Sequence, residues 1–463
     1  MKQLVFRRDT DMTKGSIWEH LIWFALPLLV GNIFQILYNT VDSIVVGNFV
    51  GKQALAAVGG SGPIINTLIG IFNGLSSGAT VIVSQCYGAH DNKRVSDAVH
   101  STIALTTIMS VVFTIAGMLG TPAMLRLMAV PEDVMADALS YLRIYFAGIS
   151  GLLFYNMGSG ILRAVGDSRR PTLFLVFSAI TNIVLDLIFI LVFPLGAAGV
   201  AYATIIAQFL SAILVMVTLM RTDSAYRFVP RKVRFSWSVT REMVNIGLPT
   251  SIQQGVTAFS NVFVQSYINV FGSAAMAGWS SYSKIDQFVL LPVQAVAFAS
   301  TTFIGQNWGA GLYDRTKKCL RTAMKLGLLM TAAIIPLLML FSRQFIYMFN
   351  QEEAVLEYGS QIIRFMSPFY LLICVNQIYG GALRGTGNAR VPMIVMLSSF
   401  VAFRQVYLIV VSKLLPGQLV PVILGYPAGW LLASVALFFY YEFGNWQEKY
   451  KTAVELNDGK ATT

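Results

Sequence analysis

Charge is scarce in this chain. Asp, Glu, Lys and Arg together make up 12% of its 463 residues, against about 25% in an average soluble protein, while 56% are apolar or aromatic. A soluble chain of this length would form roughly three domains, each needing a charged surface that so few ionisable residues cannot cover. Most of the solvent around this protein must therefore be lipid. Cysteine and histidine are scarcer still, with three of each. Cys86, Cys319 and Cys374 are far apart in sequence and suggest no disulfide framework. His20, His90 and His100 show no metal-ligand spacing with one another or with a cysteine. Enzyme signatures are missing as well: there is no Walker phosphate loop, no paired His with Glu and no nucleophile elbow. Gly385-Thr386-Gly387 lacks the strand and helix of a dinucleotide fold and reads as a tight turn. Neither an enzyme nor a resident cofactor is expected. With no ATPase module in the chain, energy for any work must come from an ion gradient or a partner.

Long apolar runs, by contrast, are abundant. A spanning helix needs about 20 mainly apolar residues, and twelve runs qualify: 16 to 46, 54 to 83, 97 to 121, 134 to 160, 171 to 193, 197 to 220, 240 to 270, 274 to 305, 318 to 341, 354 to 382, 391 to 412 and 420 to 442. The first begins after Lys14 without a small-residue cleavage site, so it is expected to stay as a helix. The net charge of +11 could suggest nucleic acid, but its placement says otherwise. Lys2, Arg7, Arg8 and Lys14, Lys93-Arg94, Arg169-Arg170 and the stretch from Arg221 to Arg241 alternate with loops holding only Lys52, Arg126, Arg343 and Lys413. That asymmetry follows the positive-inside rule and puts both termini in the cytoplasm, with the bilayer and no nucleic acid as partner.

The chain is also a duplication, a feature to be sought before any fold is assigned. Leu26-Pro27 and Asn39 meet Leu248-Pro249 and Asn261 at a shift of 222. Gln85, Gly88, Ala89 and Arg94 meet Gln306, Gly309, Ala310 and Arg315 at 221, and Arg143, Gly160, Leu162, Arg163, Gly166, Arg169 and Pro171 follow at the same shift. Six helices is an even number, so the halves are parallel repeats about an axis along the membrane normal. The expected fold is an all-α polytopic membrane protein with twelve transmembrane helices in two pseudo-twofold-related six-helix lobes. Its parts are a cytoplasmic N-terminus (1–15), an N-lobe (16–220), a cytoplasmic linker (221–239), a C-lobe (240–442) and a cytoplasmic tail (443–463). Two facing lobes suit alternating access, with a midplane cavity opening to one side at a time.

Ionisable groups at the centre of a spanning helix cost about 2.5 to 3.5 kcal/mol on insertion scales, so each is a functional candidate. Gln35, Tyr38, Asn39 and Asp42 fall on one face of the first helix, and Asn182 and Asp186 on one face of the fifth. Thr204 sits among small residues of the sixth. At the duplication shift the second lobe carries Val264, Phe403 and Tyr407 in place of Asp42, Asn182 and Asp186, so the fold does not require the carboxylates. Their oxygens suit a small hard cation such as Na⁺, while a buried carboxyl can instead carry a proton. Pro27, before this site in the first helix, weakens the backbone ladder and is a candidate hinge. In the eighth helix Lys284, Asp286 and Gln287 are candidates for lining a substrate cavity. Lys284 and Asp286 point different ways, so partners on other helices are expected, and Arg404 is a further charge that could balance a carboxylate.

The segments LPLLVGNIFQILYNTVDSIVVG (26 to 47), SQCYGAHDNKR (84 to 94), ILRAVGDSRRP (161 to 171) and ALRGTGNARVP (382 to 392) resemble those of the multidrug and toxic compound extrusion (MATE) transporters over nearly the whole chain. Asp42 and TNIVLD (181 to 186) resemble the branch of the DNA-damage-inducible F-type members. The resemblance implies a cation site at Asp42, Asn182, Asp186 and Thr204, with Gln35, Tyr38 and Asn156 nearby and a bending Pro27. It further implies antiport of Na⁺ or H⁺ against organic, amphipathic or cationic small molecules, in a bacterial inner membrane and with no obligate protein partner. The seventh and tenth helices carry Gln253, Gln254, Gln265, Asn376 and Gln377 where the norfloxacin-type branch has carboxylates, which weighs against an ion site in the second lobe. The alternative function is a flippase for lipid-linked oligosaccharides or other amphiphiles, for which more basic residues in the cavity and extra helices would be expected.

Overall fold

The computed structural model describes residues 10–444 except 129 and 194, and within them not the side chains of Asn39, Ser43, Ile44 and Lys52. The expected basic residues Lys2, Arg7 and Arg8, and the tail beyond residue 444, lie outside the described residues. The first half comprises α1 (Ile17–Phe49), α2 (Lys52–Gly88), α3 (Asn92–Leu127), α4 (Glu132–Ala147), α5 (Ile149–Ala164), α6 (Arg169–Leu187) and α7 (Gly196–Arg221). The second comprises α8 (Trp237–Asn269), α9 (Ser273–Gly309), α10 (Tyr313–Leu340), the short α11 (Ser342–Tyr347), α12 (Glu353–Met366), α13 (Tyr370–Gly385), α14 (Arg390–Leu397), α15 (Arg404–Leu414), the short α16 (Leu419–Ile423) and α17 (Gly425–Phe443). Each of the twelve expected spans is helical. Among the described residues ten helices are long and apolar enough to cross a bilayer, and α4 with α5, bent by 45°, makes an eleventh. The twelfth, α8, is long enough but more polar, carrying Arg241, Glu242, Asn245, Gln253, Gln254 and Gln265. It packs closely along α2, while Glu242 pairs with Arg94 of α3 and Gln253 reaches Met396 of α14.

Four apolar clusters hold the molecule together, and their membership describes its shape. Two lie at the end rich in Lys and Arg, here called the basic end, and both are shared between halves. One joins Met12, Leu21 and Phe24 to Val293, Phe303 and Leu383, and the other joins Val83, Val99 and Leu162 to Val239, Met243 and Ile246. The other two belong to one half each, from Val45 to Ala201 and from Val264 to Trp430. The halves are therefore fused at the basic end and separate at the other.

Helices α2 and α8 show where they part. A Cβ on Gly78 would stand 2.3 Å from the Met243 carbonyl oxygen, and one on Gly74 would stand 2.4 Å from the Ser251 nitrogen. The Ser251 hydroxyl donates to the Ile71 carbonyl at 2.7 Å. Farther along, a Cβ on Gly59, Gly60 or Gly62 would meet nothing within 4 Å. Backbone contact this tight needs glycine, because any side chain would wedge the helices apart.

The segment between α7 and α8 is no slack tether. Tyr226 and Phe228 are buried in a shared cluster, the Val229 amide donates to His100 Nε2 at 3.2 Å, and the Ser236 amide donates to Ser101 Oγ at 3.0 Å. Arg234 pairs with Asp97, and Arg94 holds both carboxylate oxygens of Glu242 at 3.1 and 2.9 Å.

Candidate functional site

In the first half, Asp42 of α1 and Asp186 of α6 are buried, 8% and 0% exposed, and their carboxyl groups face each other. Asn182, one turn before Asp186, is 2% exposed. Asp42 Oδ1, both Asp186 oxygens and both amide atoms of Asn182 are buried without a hydrogen-bond partner. Leaving such a group unsatisfied costs about 1 to 3 kcal/mol, more if it is charged, so four such oxygens and one amide nitrogen gathered together are unusual for a packing core. The Thr204 hydroxyl donates to the Val200 carbonyl at 2.9 Å, which leaves its oxygen lone pairs free to accept. Carboxylate, amide and hydroxyl oxygens form a donor set that fits a small hard cation or a proton.

Aromatic residues wall this site. Tyr38 interacts with the Gln35 side chain and lies near Asp42, Tyr141 is buried beside both carboxyls, and Tyr145 stacks on Tyr141 with ring centroids 6.4 Å apart and lies beside Gln208. The sequence reading missed Tyr141, Tyr145 and Gln208, because each looks like an ordinary apolar-face residue until α4 and α7 are packed against α1. Asn156 is used differently: its amide donates to the Leu152 carbonyl at 2.8 Å, and its backbone oxygen accepts from Ser76 at 2.8 Å, joining α5 to α2. The Asn39 side chain lies outside the described residues. Helix α1 runs unbroken through Pro27, whose carbonyl accepts from the Thr172 hydroxyl of α6 at 3.0 Å.

The second half differs in charge. Asp286 accepts from the Tyr370 hydroxyl at 2.6 Å and from the Tyr282 hydroxyl at 3.2 Å, so tyrosines rather than a cation satisfy it. Lys284 is exposed, with Nζ 5.4 Å from the Phe349 ring centroid, and Gln287 is exposed beside it. The expected balancing of a carboxylate by Arg404 does not occur. Its Nη2 donates to Ser260 Oγ at 3.0 Å and to Asn261 Oδ1 at 2.9 Å, and its guanidinium lies 4.5 Å from the Tyr426 ring centroid. Helix α15 begins with Arg404 right after a π-helical stretch, Ser398–Phe403, and faces the side chains of α8 rather than an acid.

The family model described as MatE matches this chain twice, over residues 27–188 and again over 248–408. The chain belongs to the MATE family. Two Bacillus subtilis (strain 168) proteins are similar to this MATE chain: the probable multidrug resistance protein YpnP, 30% identical with 94% of this chain and 97% of that one covered, and the probable multidrug resistance protein YoeA, 29% identical with 94% and 96% covered. Among solved structures, a multidrug resistance MATE family transporter of the MOP superfamily in an outward-facing conformation superposes with a TM-score of 0.88 at 25% identity, covering 96% of this chain and 99% of that one. This MATE protein is thus a multi-pass membrane transporter and no enzyme, and the family it belongs to is ion-coupled.

Proposed function

We propose that this MATE transporter exchanges Na⁺ or H⁺ for amphipathic or cationic organic compounds by alternating access, with Asp42, Asn182, Asp186 and Thr204 binding the coupling ion. The single observation carrying this reading is the set of five unpartnered carboxyl and amide atoms in one half, at positions where the other half has Val264, Phe403 and Tyr407. Two carboxyl groups packed together repel when both are ionised, and a bound cation or proton relieves that repulsion. Gln35 and Tyr38 line the approach, Pro27 is the hinge, and Lys284 and Gln287 face the substrate path in this reading. Asn156 supports the site through packing, and Asp286 holds the aromatic wall of the second half. Residues 16–220 and 240–442 are the moving lobes, joined by 221–239.

The basic end faces the cytoplasm of a bacterial cell under the positive-inside rule. The joined state of that end then corresponds to a cavity open to the outside. The pairing of Asp42 with TNIVLD (181 to 186) favours the DNA-damage-inducible F-type branch.

The test is thermal stability of the purified protein across Na⁺ concentration and pH, for wild type, Asp42→Asn and Asp186→Asn. A ligand that binds only the folded state stabilises it by about 2.7 kcal/mol at a hundred times its Kd. Stabilisation by Na⁺ but not K⁺, lost in both variants, supports sodium coupling; a pH response alone, lost likewise, supports protons. Variants indistinguishable from wild type would sink the site. A second reading, an amphiphile flippase, draws on one observation, the Arg404 guanidinium with no carboxylate partner among the described residues. Loss of surface glycan on deletion, with drug tolerance intact, would favour it.

A further inference from the structure

The duplication allows the two halves to be compared residue by residue. At shifts of 221 to 222, Ser260, Asn261 and Tyr426 stand where Tyr38, Asn39 and Thr204 stand, and Arg404 directly follows Phe403, the counterpart of Asn182. Packing keeps that correspondence: Ser178 Oγ donates to the Ala207 carbonyl, and the matching Gly429 lies against the Ser399 carbonyl. Where the first half gathers two carboxyl groups, the second presents a guanidinium.

That guanidinium is 2% exposed, and its Nε is buried with no hydrogen-bond partner. A buried charge without a counter-charge is strongly destabilising, and arginine's planar fork matches carboxylate, sulfonate and phosphate groups. Among the described residues the carboxylate close to its aromatic neighbours, that of Asp286, is already held by Tyr370 and Tyr282. Around Arg404 the wall is aromatic: the Tyr426 ring lies 5.5 Å from Trp279 and 6.1 Å from Trp430, and Tyr370 stacks on Trp430 at 6.2 Å. Asn261, which takes one of the Arg404 bonds, is exposed, so the cluster reaches the accessible surface of α8.

We propose that the second half carries an anion-binding site, in which Arg404 receives the carboxylate, sulfonate or phosphate of an aromatic substrate while Tyr426, Trp279 and Trp430 contact its ring. The proposal rests on reading the gap between the halves as the transport path; within the amphipathic compounds of that reading it selects aromatic anions and zwitterions, in place of simple cations. The fixed positive charge disfavours simple amines at this site. The two halves then divide the work: the first takes the exchangeable cation and the second takes the anionic end of the cargo.

Calorimetric titration of the purified protein without Na⁺ tests this, using 2-naphthoate, 2-naphthyl phosphate and, as the matched cation, 2-naphthylmethylammonium. The anionic probes should bind wild type in preference to the cation. Arg404→Gln should weaken them by about tenfold or more, as expected when a charge-assisted hydrogen bond is lost, and Arg404→Lys should retain part of the affinity. Should Arg404→Gln fail to yield monodisperse protein, Arg404→Lys, expected to weaken the anions selectively, and Tyr426→Leu, expected to weaken them through the lost ring contact, carry the test. Unchanged anion affinity in these folded variants, or no saturable anion binding by wild type, would overturn the proposal. Displacement of the probes by phosphatidylglycerol but not by phosphatidylcholine would assign the site to lipid headgroups and overturn the soluble-cargo reading. Failure of the cation site shows separately, in the Na⁺ and pH series on wild type.

Discussion

Gln85 and Gln306 make the same hydrogen bond in opposite directions across the seam. Gln85 Nε2 donates to the Gly385 carbonyl at 2.9 Å, and Gln306 Nε2 donates to the Ala164 carbonyl at 2.8 Å. Donors and acceptors alike are related by the 221 shift, so each half reaches the end of the other's helix. Gly88 and Gly309 make room for this exchange: a Cβ on Gly88 would fall 1.9 Å from the Gln306 carbonyl oxygen, and one on Gly309 2.0 Å from that of Gln85.

Gly88→Val and Gly309→Val should therefore pry the basic end open. Overpacking costs about 1 to 3 kcal/mol, which shifts a two-state equilibrium by roughly 5- to 150-fold. The native thiols Cys86 and Cys319, both buried at this end, report the change through their rate of maleimide labelling. Faster labelling in both variants is expected; wild-type rates would mean that the glycines do not govern closure.

Gln306 has a second duty. Its Oε1 accepts from the Met12 amide at 2.9 Å, while Asn307 Nδ2 and Arg315 donate to the Met12 carbonyl and the Thr10 amide donates to the Val165 carbonyl. The segment before α1 is thus laid across both halves. Gln306→Leu leaves the Met12 amide and the Ala164 carbonyl without partners, at about 1 to 3 kcal/mol for each buried group. A lower melting temperature and easier proteolysis before residue 16 are expected, whereas Gln306→Glu, which keeps the acceptor for the Met12 amide, should lose less.

Asp11 gives that segment an acid limit. Partial burial opposes ionisation, but the Thr13 hydroxyl and amide both donate to Oδ1, with His90 and Lys14 adding to the effect, and the net result holds the carboxyl below its ordinary value of 3.8. A carboxyl depressed in the folded state contributes stability above its unfolded pKa and loses it as pH falls through the folded value. Asp11→Asn should therefore flatten the acid limb of the melting curve below about pH 4 and leave neutral pH little changed. Because the group is only partly buried and solvent screens its partners, the effect is small. An unaltered acid limb would show that the turn does not contribute.

Pro27→Ala separates ion binding from movement. The Thr172 hydroxyl bonds the Pro27 carbonyl, tying the candidate hinge to the helix that carries Asp186. The variant should keep the Na⁺ or pH response of its melting temperature, within about 1 kcal/mol by the cost of mild repacking, yet exchange more slowly in transport assays. Equal transport by the variant would remove Pro27 from the mechanism.

Much of this was legible in the sequence, and the gaps have physical reasons. Apolar run length located twelve helical segments, eleven of them, among the described residues, long and apolar enough to cross a bilayer once α4 and α5 are taken together, because lipid demands apolar length, and the shift test found Gln85, Gly88, Gln306 and Gly309 as a repeated motif. It did not reveal that the motif bonds across the seam, since a repeat specifies equivalence and not contact. Asp42, Asn182 and Asp186 stood out because a carboxylate in lipid is rare, while Tyr141 and Tyr145 did not, since tyrosine in a helix is common. Arg404 was visible as a charge, but its partners Ser260 and Asn261 were not, because small polar residues carry no signal of what they face.

The docking of Tyr226, Phe228 and Val229 onto the first half leaves little free chain before α8 begins at Trp237. Helix α8 has 33 residues and so measures about 50 Å along its axis. Anchored at its base by the Arg94–Glu242 pair, it would work, under the proposed alternating access, as a lever with a short fulcrum. A tilt of roughly 10° there carries the far tip about 9 Å by simple geometry of that length. A wide opening at one membrane face thus demands only a slight rearrangement at the other, where the connection can be stiff without hindering the stroke.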